Sequence, residues 1–300
     1  WSKNKYTVTY NYAENGGTSA TKTSASVEYQ AAIDLTPTAT KSGYVFVGWN
    51  TNKDATEGLS SLTMDAKNVT LYAIYKKTIT ATFYYYGGST PVSRTIYNKT
   101  ASVSIPAPAI ASTTVSGYAC TGRGWSTSNA ANATINLNAG ASVELSSNQT
   151  YYSSYTYTVT ATYYYYNGSS YTHTSSTATA YMNYKGTKVG GKPTTPDVST
   201  PSGWIARGWS TSDSATGTVT TPGTITSNAT YYYSWQKTVT ATLYVYNNSS
   251  SAKKGTAYLN YKGDITNASI NLGTTSLSGY TFRGWSTDKG ANAGITVAAN

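Results

Sequence analysis

The sequence predicts a mainly β protein, with at most a short helix per unit, arranged as a tandem array of about four small domains. Three observations lead to this prediction: strands with alternating large and small polar side chains, a fixed internal period, and a Gly-Trp pair that occurs four times. The composition agrees, because Tyr occurs 31 times and Trp 7 times while charged residues make up only 11% of the chain. Tyrosine buries a large ring and keeps its hydroxyl in water, so small β domains can build cores from it.

The Gly-Trp pair ends a predicted strand and is followed each time by Ser or Asn and then Thr. The four copies are Gly48-Trp49, Gly124-Trp125, Gly208-Trp209 and Gly284-Trp285. The glycine permits an unusual backbone dihedral or a close approach of two chains. We expect the tryptophan to fill the small core of each domain and the polar pair after it to begin a turn. The alternative is an exposed tryptophan that stacks on sugars.

The period comes from the strands that open and close each domain. Closing strands begin at Asn68, Asn148 and Asn228, and opening strands begin at Thr78, Thr158 and Thr238, each set at intervals of 80 residues. A unit of this length exceeds most solenoid repeats and can hold a small core of its own. The predicted domains are residues 5–77, 78–157, 158–237 and 238–300, preceded by residues 1–4 as the end of an earlier repeat.

Within the first domain, strands are expected at residues 6–12, 24–29, 44–49 and 69–75, with a short helix near 31–35 as a weaker candidate. The closing strand is expected to pair with the opening strand of the same domain. No Gly/Ser or Pro linker separates the domains, so limited bending and a rod of order 100 Å are expected. The fourth domain lacks a closing strand, which the rest of a longer chain or a partner strand would supply.

Consecutive aromatic residues end the opening strands of the later domains. They place tyrosines on both faces of one strand, so one face joins the core while the other meets water, a neighbouring repeat or a ligand. The candidates for contact with a glycan or a partner are Tyr84, Tyr86, Tyr164, Tyr166, Tyr244 and Tyr246, together with Arg123, Arg207 and Arg283. The three arginines precede Gly-Trp pairs, where the first domain has Val47. They either stack on a neighbouring tyrosine or occupy solvated strand positions.

Residues 279–288, Gly-Tyr-Thr-Phe-Arg-Gly-Trp-Ser-Thr-Asp, together with residues 68–73, Asn-Val-Thr-Leu-Tyr-Ala, resemble the Listeria–Bacteroides repeat, also called the internalin B-repeat. The resemblance covers all four units and is best over residues 5–77. It implies a compact β-grasp-like domain that occurs in tandem in secreted or wall-attached proteins of Gram-positive and gut bacteria. It also implies a role as a stalk or as a weak binder of host or wall glycans.

The sequence shows no pattern of a catalytic, cofactor or metal site, and the chain is predicted not to be an enzyme. His173 is the only histidine, Cys120 is the only cysteine, and the eleven carboxylates are dispersed. The net charge of +10 comes from scattered lysines, which favours weak attraction to anionic wall polymer or mucin over nucleic acid. No apolar run of about 18 residues occurs, so we expect no membrane insertion in this segment.

The leading hypothesis is a structural segment of an extracellular stalk or fibre on a bacterial surface, which holds another domain away from the cell. One alternative is a multivalent adhesin for carbohydrate or mucin. Another is a fibre or decoration protein of a bacteriophage, found on virions or released filaments. The expected partners are neighbouring repeats of the same chain, host or wall glycans, or identical subunits in a fibre.

Overall fold

A computed structural model describes residues 1–18, 22–246 and 249–288. Regular secondary structure in these residues consists of strands alone, and parallel as well as antiparallel pairs occur, which confirms the mainly β class. The strands are β1 (Lys5–Asn11), β2 (Lys22–Glu28), β3 (Val45–Asn50), β4 (Val69–Tyr85), β5 (Gly88–Tyr97), β6 (Val103–Pro106), β7 (Thr113–Val115), β8 (Tyr118–Ser126), β9 (Ser142–Leu145), β10 (Gln149–Tyr166), β11 (Tyr171–Asn183), β12 (Lys188–Val189), β13 (Ile205–Ser210), β14 (Ala229–Tyr244), β15 (Ser250–Leu259) and β16 (Ile265–Thr266). The helix considered near residues 31–35 is absent, and Ala32 there forms an isolated bridge with Thr63.

The chain divides into two compact units. The first contains residues 1–156 and 182–187, and the second contains residues 157–181 and the chain from Lys188 onward. Residues 289–300 of the predicted fourth domain, with the expected position of its missing strand, lie outside the described residues.

In the first unit, the first repeat forms a mixed sheet in the order β2-β1-β4-β3. The opening strand β1 runs parallel to β4, from Val8 opposite Val69 onward, so the closing strand lies beside the opening strand as the sequence predicts. The Thr7 N–H donates to Asn68 Oδ1 at 2.8 Å just before this parallel pairing begins. The asparagine that precedes the closing strand therefore fixes the register of the two central strands.

The second repeat has the same arrangement in the order β5-β4-β10-β8, with β4 and β10 as the parallel pair. Here the Thr80 N–H donates to Asn148 Oδ1 at 2.9 Å. Two additions distinguish this repeat: β7 forms a hairpin with β8, and β6 pairs with β9 in a separate two-stranded sheet.

In the second unit, the third repeat has the order β11-β10-β14-β13, again with a parallel central pair. The Thr160 N–H donates to Asn228 Oδ1 at 2.9 Å, the third occurrence of this bond. The fourth repeat begins with the second half of β14, which forms a hairpin with β15, and β15 pairs with β16.

The long strands β4 (17 residues) and β14 (16 residues) each close one repeat and open the next. The sequence predicts two strands that meet near residues 77 and 237, whereas the structure has one strand without a turn. The reason is that the second half of each long strand starts a new antiparallel ladder before the first half ends: Lys76 already pairs with Tyr97, and Trp235 with Leu259. The domain limits given above therefore fall inside strands and stay a prediction.

Candidate functional site

The tryptophans of the first three Gly-Trp pairs lie in the cores of their repeats. Trp49 is fully buried, and its ring meets Tyr10 and Tyr12 edge-on with centroids 5.0 and 4.9 Å away. Its indole N–H donates to the Pro37 carbonyl at 2.6 Å. A tryptophan enclosed in this way offers no face to a sugar, so its contribution is to stability.

The other copies follow the same plan. Trp125 is fully buried against Phe83, with centroids 4.9 Å apart, and its N–H donates to the Pro108 carbonyl at 3.0 Å. Trp209 lies 4.9 Å from Tyr163 and is 6% exposed. Trp285 is half-buried, and its N–H donates to the Gly273 carbonyl at 2.8 Å.

The Gly-Trp pair forms part of a β-bulge that sequence reasoning missed. In each of the first three repeats, one residue of the hallmark strand has no partner in the closing strand: Val47, Arg123 or Arg207. The next residue is a glycine with φ of +145°, +148° or +123°, which other residues adopt only with strain. A bulge redirects the side chain of the extra residue. It thereby turns Arg123 and Arg207 towards the loop that follows the tryptophan.

The two arginines anchor that loop to the closing strand. Arg123 Nη1 donates to the Ala133 carbonyl at 3.1 Å and to Ser154 Oγ at 2.9 Å. Because Ser154 lies opposite Gly124 in the closing strand, the guanidinium joins the loop to the strand through the bulge. Ser154 in turn donates to the Ala131 carbonyl at 2.6 Å.

The third repeat has the same contact, and the first has apolar residues at the two corresponding positions. Arg207 donates to the carbonyls of Ala215 and Gly217, and to Ser234 Oγ at 3.1 Å. Its guanidinium also lies 5.1 Å from the ring centre of Tyr258, so it stacks on a tyrosine. In the first repeat, Ile74 occupies the position opposite the glycine and Val47 the bulge. The arginine of the fourth repeat, Arg283, is exposed.

We expect Arg123→Lys to destabilise the second repeat by about 2 kcal/mol, because lysine cannot reach the carbonyl and the hydroxyl with the fork geometry of arginine. Arg94→Lys is the matched control, since Arg94 is exposed and bonds only to its neighbour's carbonyl. Urea titration followed by circular dichroism measures both free energies of unfolding. Equal values for the two variants would show that the loop anchor contributes nothing.

A first tyrosine cluster lies on the other face of β4 and β10 and is defined by four residues. Tyr84 and Tyr152 belong to these strands, Tyr86 directly follows β4, and Tyr184 comes from the turn after β11. Tyr84 stacks on Tyr152 with centroids 5.7 Å apart, and Tyr152 lies 4.9 Å from Tyr184. Tyr84 and Tyr86 are 37% and 38% exposed. Phe83, which precedes Tyr84 in the same strand, is fully buried. Successive side chains of a strand point to opposite faces, so the strand separates core rings from surface rings.

An equivalent second tyrosine cluster lies in the second unit and is defined by Tyr164, Tyr166, Tyr232 and Tyr261. Tyr164 stacks on Tyr232 at 5.4 Å, and Tyr232 lies 4.7 Å from Tyr261. Tyr171 extends the stack beyond Tyr164 at 5.8 Å. The remaining candidates, Tyr244 and Tyr246, are 69% and 88% exposed, and among the described residues no aromatic ring packs on either.

Both clusters depend on a turn with the sequence Asn-Tyr-Lys-Gly, which sequence reasoning also missed. It occurs at residues 183–186 and 260–263. The asparagine side chain accepts backbone N–H bonds and closes the turn: Asn183 Oδ1 accepts from Lys185 and Thr187 at 3.0 and 2.9 Å. The glycine makes room for a ring, since a Cβ on Gly186 would lie 3.2 Å from Tyr86. The repeated tetrapeptide was the available signal.

The family model of the Listeria-Bacteroides repeat domain matches residues 6–74 and 242–299. The chain is similar to this family over these two regions. No solved structure matches the chain. The two matched regions cover most of the first and fourth repeats. The two central repeats share the bulge and the Asn–Thr bond of the first repeat.

Several core tyrosines of these repeats have phenol groups with perturbed acidity. Burial, and to a lesser degree Tyr12, raises the pKa of Tyr75. Burial raises the pKa of Tyr151, and burial followed by Tyr163 raises that of Tyr231. The folded repeats therefore keep phenol protons at pH values at which the unfolded chain has lost them.

We expect the repeats to lose stability in alkali for this reason. The stability that each of these tyrosines adds is fully present below the unfolded pKa of about 10. It falls, by at most about 1.4 kcal/mol per pH unit, as the pH rises towards the folded pKa. Tyr75→Phe removes one such phenol from a fully buried position. Urea titrations between pH 8 and 11 should give a shallower decline for this variant, and an unchanged slope would contradict the assignment.

The repeats present little chemistry beyond these contacts. Within residues 1–18, 22–246 and 249–288, no group of three His, Cys, Asp or Glu side chains could hold a metal ion. Cys120 is buried, and His173 is exposed on β11 with its ring 5.3 Å from Tyr164. The same part of the chain has no helix that is long and apolar enough to span a membrane. Repeats of this family are typically non-catalytic.

Proposed function

We propose that this chain is a non-catalytic structural segment of a bacterial surface stalk or fibre, which holds another domain away from the cell. The observation that carries the proposal is the continuity of β4 and β14 from one repeat into the next. Each long strand is hydrogen-bonded on both sides of the repeat junction, to β3 and β5 or to β13 and β15. A junction of this kind resists bending far more than a flexible linker does.

The family supports the same function. Listeria-Bacteroides repeats suggest a surface repeat protein and are usually surface-associated. We further propose that each repeat is β-grasp-like and that the repeats form an extended rod. The support for this is the mixed sheet of each of the first three repeats, in which the opening and closing strands form a parallel central pair.

Distance measurements across one junction test the stiffness. Spin labels on cysteines at Lys67 and Ala139, both exposed and both in the first unit, report the distance between the first two repeats. Cys120→Ala keeps the labelling specific. We expect one narrow distance distribution, and we expect insertion of Gly-Ser-Gly-Ser between Lys76 and Lys77 to broaden it at least about twofold, because it interrupts β4.

The matched control carries the same insertion between Gly87 and Gly88, in the turn after β4, and should keep the narrow distribution. A broad distribution in the chain without insertions would refute a stiff junction. Small-angle scattering of the full chain provides the second test. A rod of order 100 Å is expected from the size of four compact domains in line, and a compact particle would refute the spacer function.

A further inference from the structure

We infer that the two tyrosine clusters, each with the lysine of its Asn-Tyr-Lys-Gly turn, are binding sites for an acidic polysaccharide that carries carboxylates on its sugar rings. This inference goes beyond the spacer function and does not depend on it. It is carried by the recurrence of one arrangement in both units: stacked rings from two parallel strands, a third ring from a turn, and an ammonium group beside that ring.

The exposed rings provide apolar faces of the size of a sugar ring. Tyr84 contacts Tyr152 and Tyr184 and is still 37% exposed, and its neighbour on the antiparallel side is the small residue Ser89. In the second cluster, Tyr171 ends the stack and is 48% exposed. Sugars present C–H groups on one face and hydroxyls at the rim, which suits an aromatic face surrounded by phenol and backbone groups.

The charge at each site selects the acidic class of sugar. Lys185 Nζ lies 5.6 Å from the ring centre of Tyr184, and Lys262 Nζ lies 5.6 Å from that of Tyr261. Both lysines are exposed, so their ammonium groups can reach a carboxylate on a sugar that rests on the rings. The chain has a net charge of +10, which adds a long-range attraction for a polyanion.

The two clusters differ in the residue that follows the tryptophan by four positions. Four residues after the tryptophan, the second repeat has Asn129, whose carbonyl accepts from Asn183 at 3.0 Å. The third repeat has Asp213 at this position. Asp213 also contributes, after burial and Tyr261, to the raised pKa of Tyr232. The first cluster should therefore bind a polyanion more tightly than the second.

The experiment uses the full chain and oligogalacturonate, a chain of uronic acids, as the probe. Isothermal titration at low salt measures its affinity, and the methyl ester of the same oligomer is the control ligand because it keeps the ring and loses the charge. We expect saturable binding of the acid, weakened by salt and at least about fivefold weaker for the ester. No saturable binding, or equal binding of acid and ester, would overturn the inference.

Paired variants locate the binding. The double variant Lys185→Gln/Lys262→Gln should weaken binding about fivefold. The control is the double variant Lys76→Gln/Lys192→Gln, which removes two exposed lysines elsewhere and should leave the affinity within about twofold. Equal effects of the two pairs would overturn the inference in favour of unspecific attraction.

Two further variants test the rings and the carboxylate. Tyr84→Leu should weaken binding about fivefold through loss of the aromatic face, and Asp213→Asn should tighten it. Thermal unfolding establishes whether each variant is folded. If Tyr84→Leu does not fold, the variants of the exposed lysines Lys185 and Lys262 still decide the test. A proline-rich peptide that displaces the oligomer and binds equally well to the lysine variants would overturn the inference, because it would identify the clusters as peptide sites.

Discussion

Trp125→Ala is expected to unfold the second repeat or to destabilise it by about 4 kcal/mol, the typical cost of removing a large aromatic side chain from a core. Trp125 is fully buried against Phe83, which itself stacks on Tyr151 at 5.2 Å. Removal of the indole leaves both rings beside a cavity and leaves the Pro108 carbonyl without its donor at 3.0 Å. A repeat of about 80 residues has little stability to spare, so this loss approaches its total.

Hydrogen exchange followed by mass spectrometry separates the effect on one repeat from the stability of the whole chain. Peptides from Tyr118–Ser126 should exchange about a thousandfold faster in Trp125→Ala, the factor that corresponds to 4 kcal/mol. The control is Trp1→Ala, because Trp1 is fully exposed. In this variant the exchange of the Tyr118–Ser126 peptides should stay unchanged. A folded Trp125→Ala repeat with normal exchange would show that the tryptophan does not support the core.

Those parts of the fold that depend on neighbouring residues could be predicted from the sequence. Alternation located the opening strands, the period located the closing strands, and the burial of Trp49 followed from its size and its place in a small domain. The pairing of β1 with β4 also followed, since both strands belong to the same repeating unit, but its parallel direction did not. The unbroken strand β4 did not follow, since its continuity depends on a ladder with β5 that begins at Lys76.

The site could be predicted only in part, because its contacts join distant segments. The alternation of β4 placed Tyr84 on the outer face, but its contact with Tyr184 spans 100 residues of sequence and depends on the turn at 183–186. Two signals could have been used. The first is a glycine inside a strand pattern, which indicates a bulge. The second is a pair of differences between repeats: the second repeat has Arg123 and Ser154, which bond to each other, at the two positions where the first repeat has Val47 and Ile74. Such a paired difference indicates a contact across the sheet.

The bulge glycine of the first repeat gives the second large expected effect. Gly48 has φ of +145°, and a Cβ on it would lie 2.9 Å from the Cα of Gly58 in the loop after the tryptophan. Gly48→Ala therefore combines backbone strain with a clash between two backbone segments. These segments are joined beside the clash, because the Leu59 N–H donates to the Trp49 carbonyl at 2.7 Å. We expect a loss of about 3 kcal/mol from the two effects together.

Two matched variants separate these causes within one repeat. Gly43 has φ of +75° with open space around a Cβ, so Gly43→Ala should cost only the left-handed backbone strain, about 1 kcal/mol. Gly58 has no positive φ, but its Cβ would lie 2.8 Å from the Gly48 Cα, so Gly58→Ala should report the clash alone. Urea titration of the three variants gives the order Gly48, Gly58, Gly43 from largest to smallest loss if the bulge must lie against the loop. A Gly48→Ala variant no worse than Gly43→Ala would mean that the loop can move away, and the hallmark glycine would then be needed for its dihedral alone.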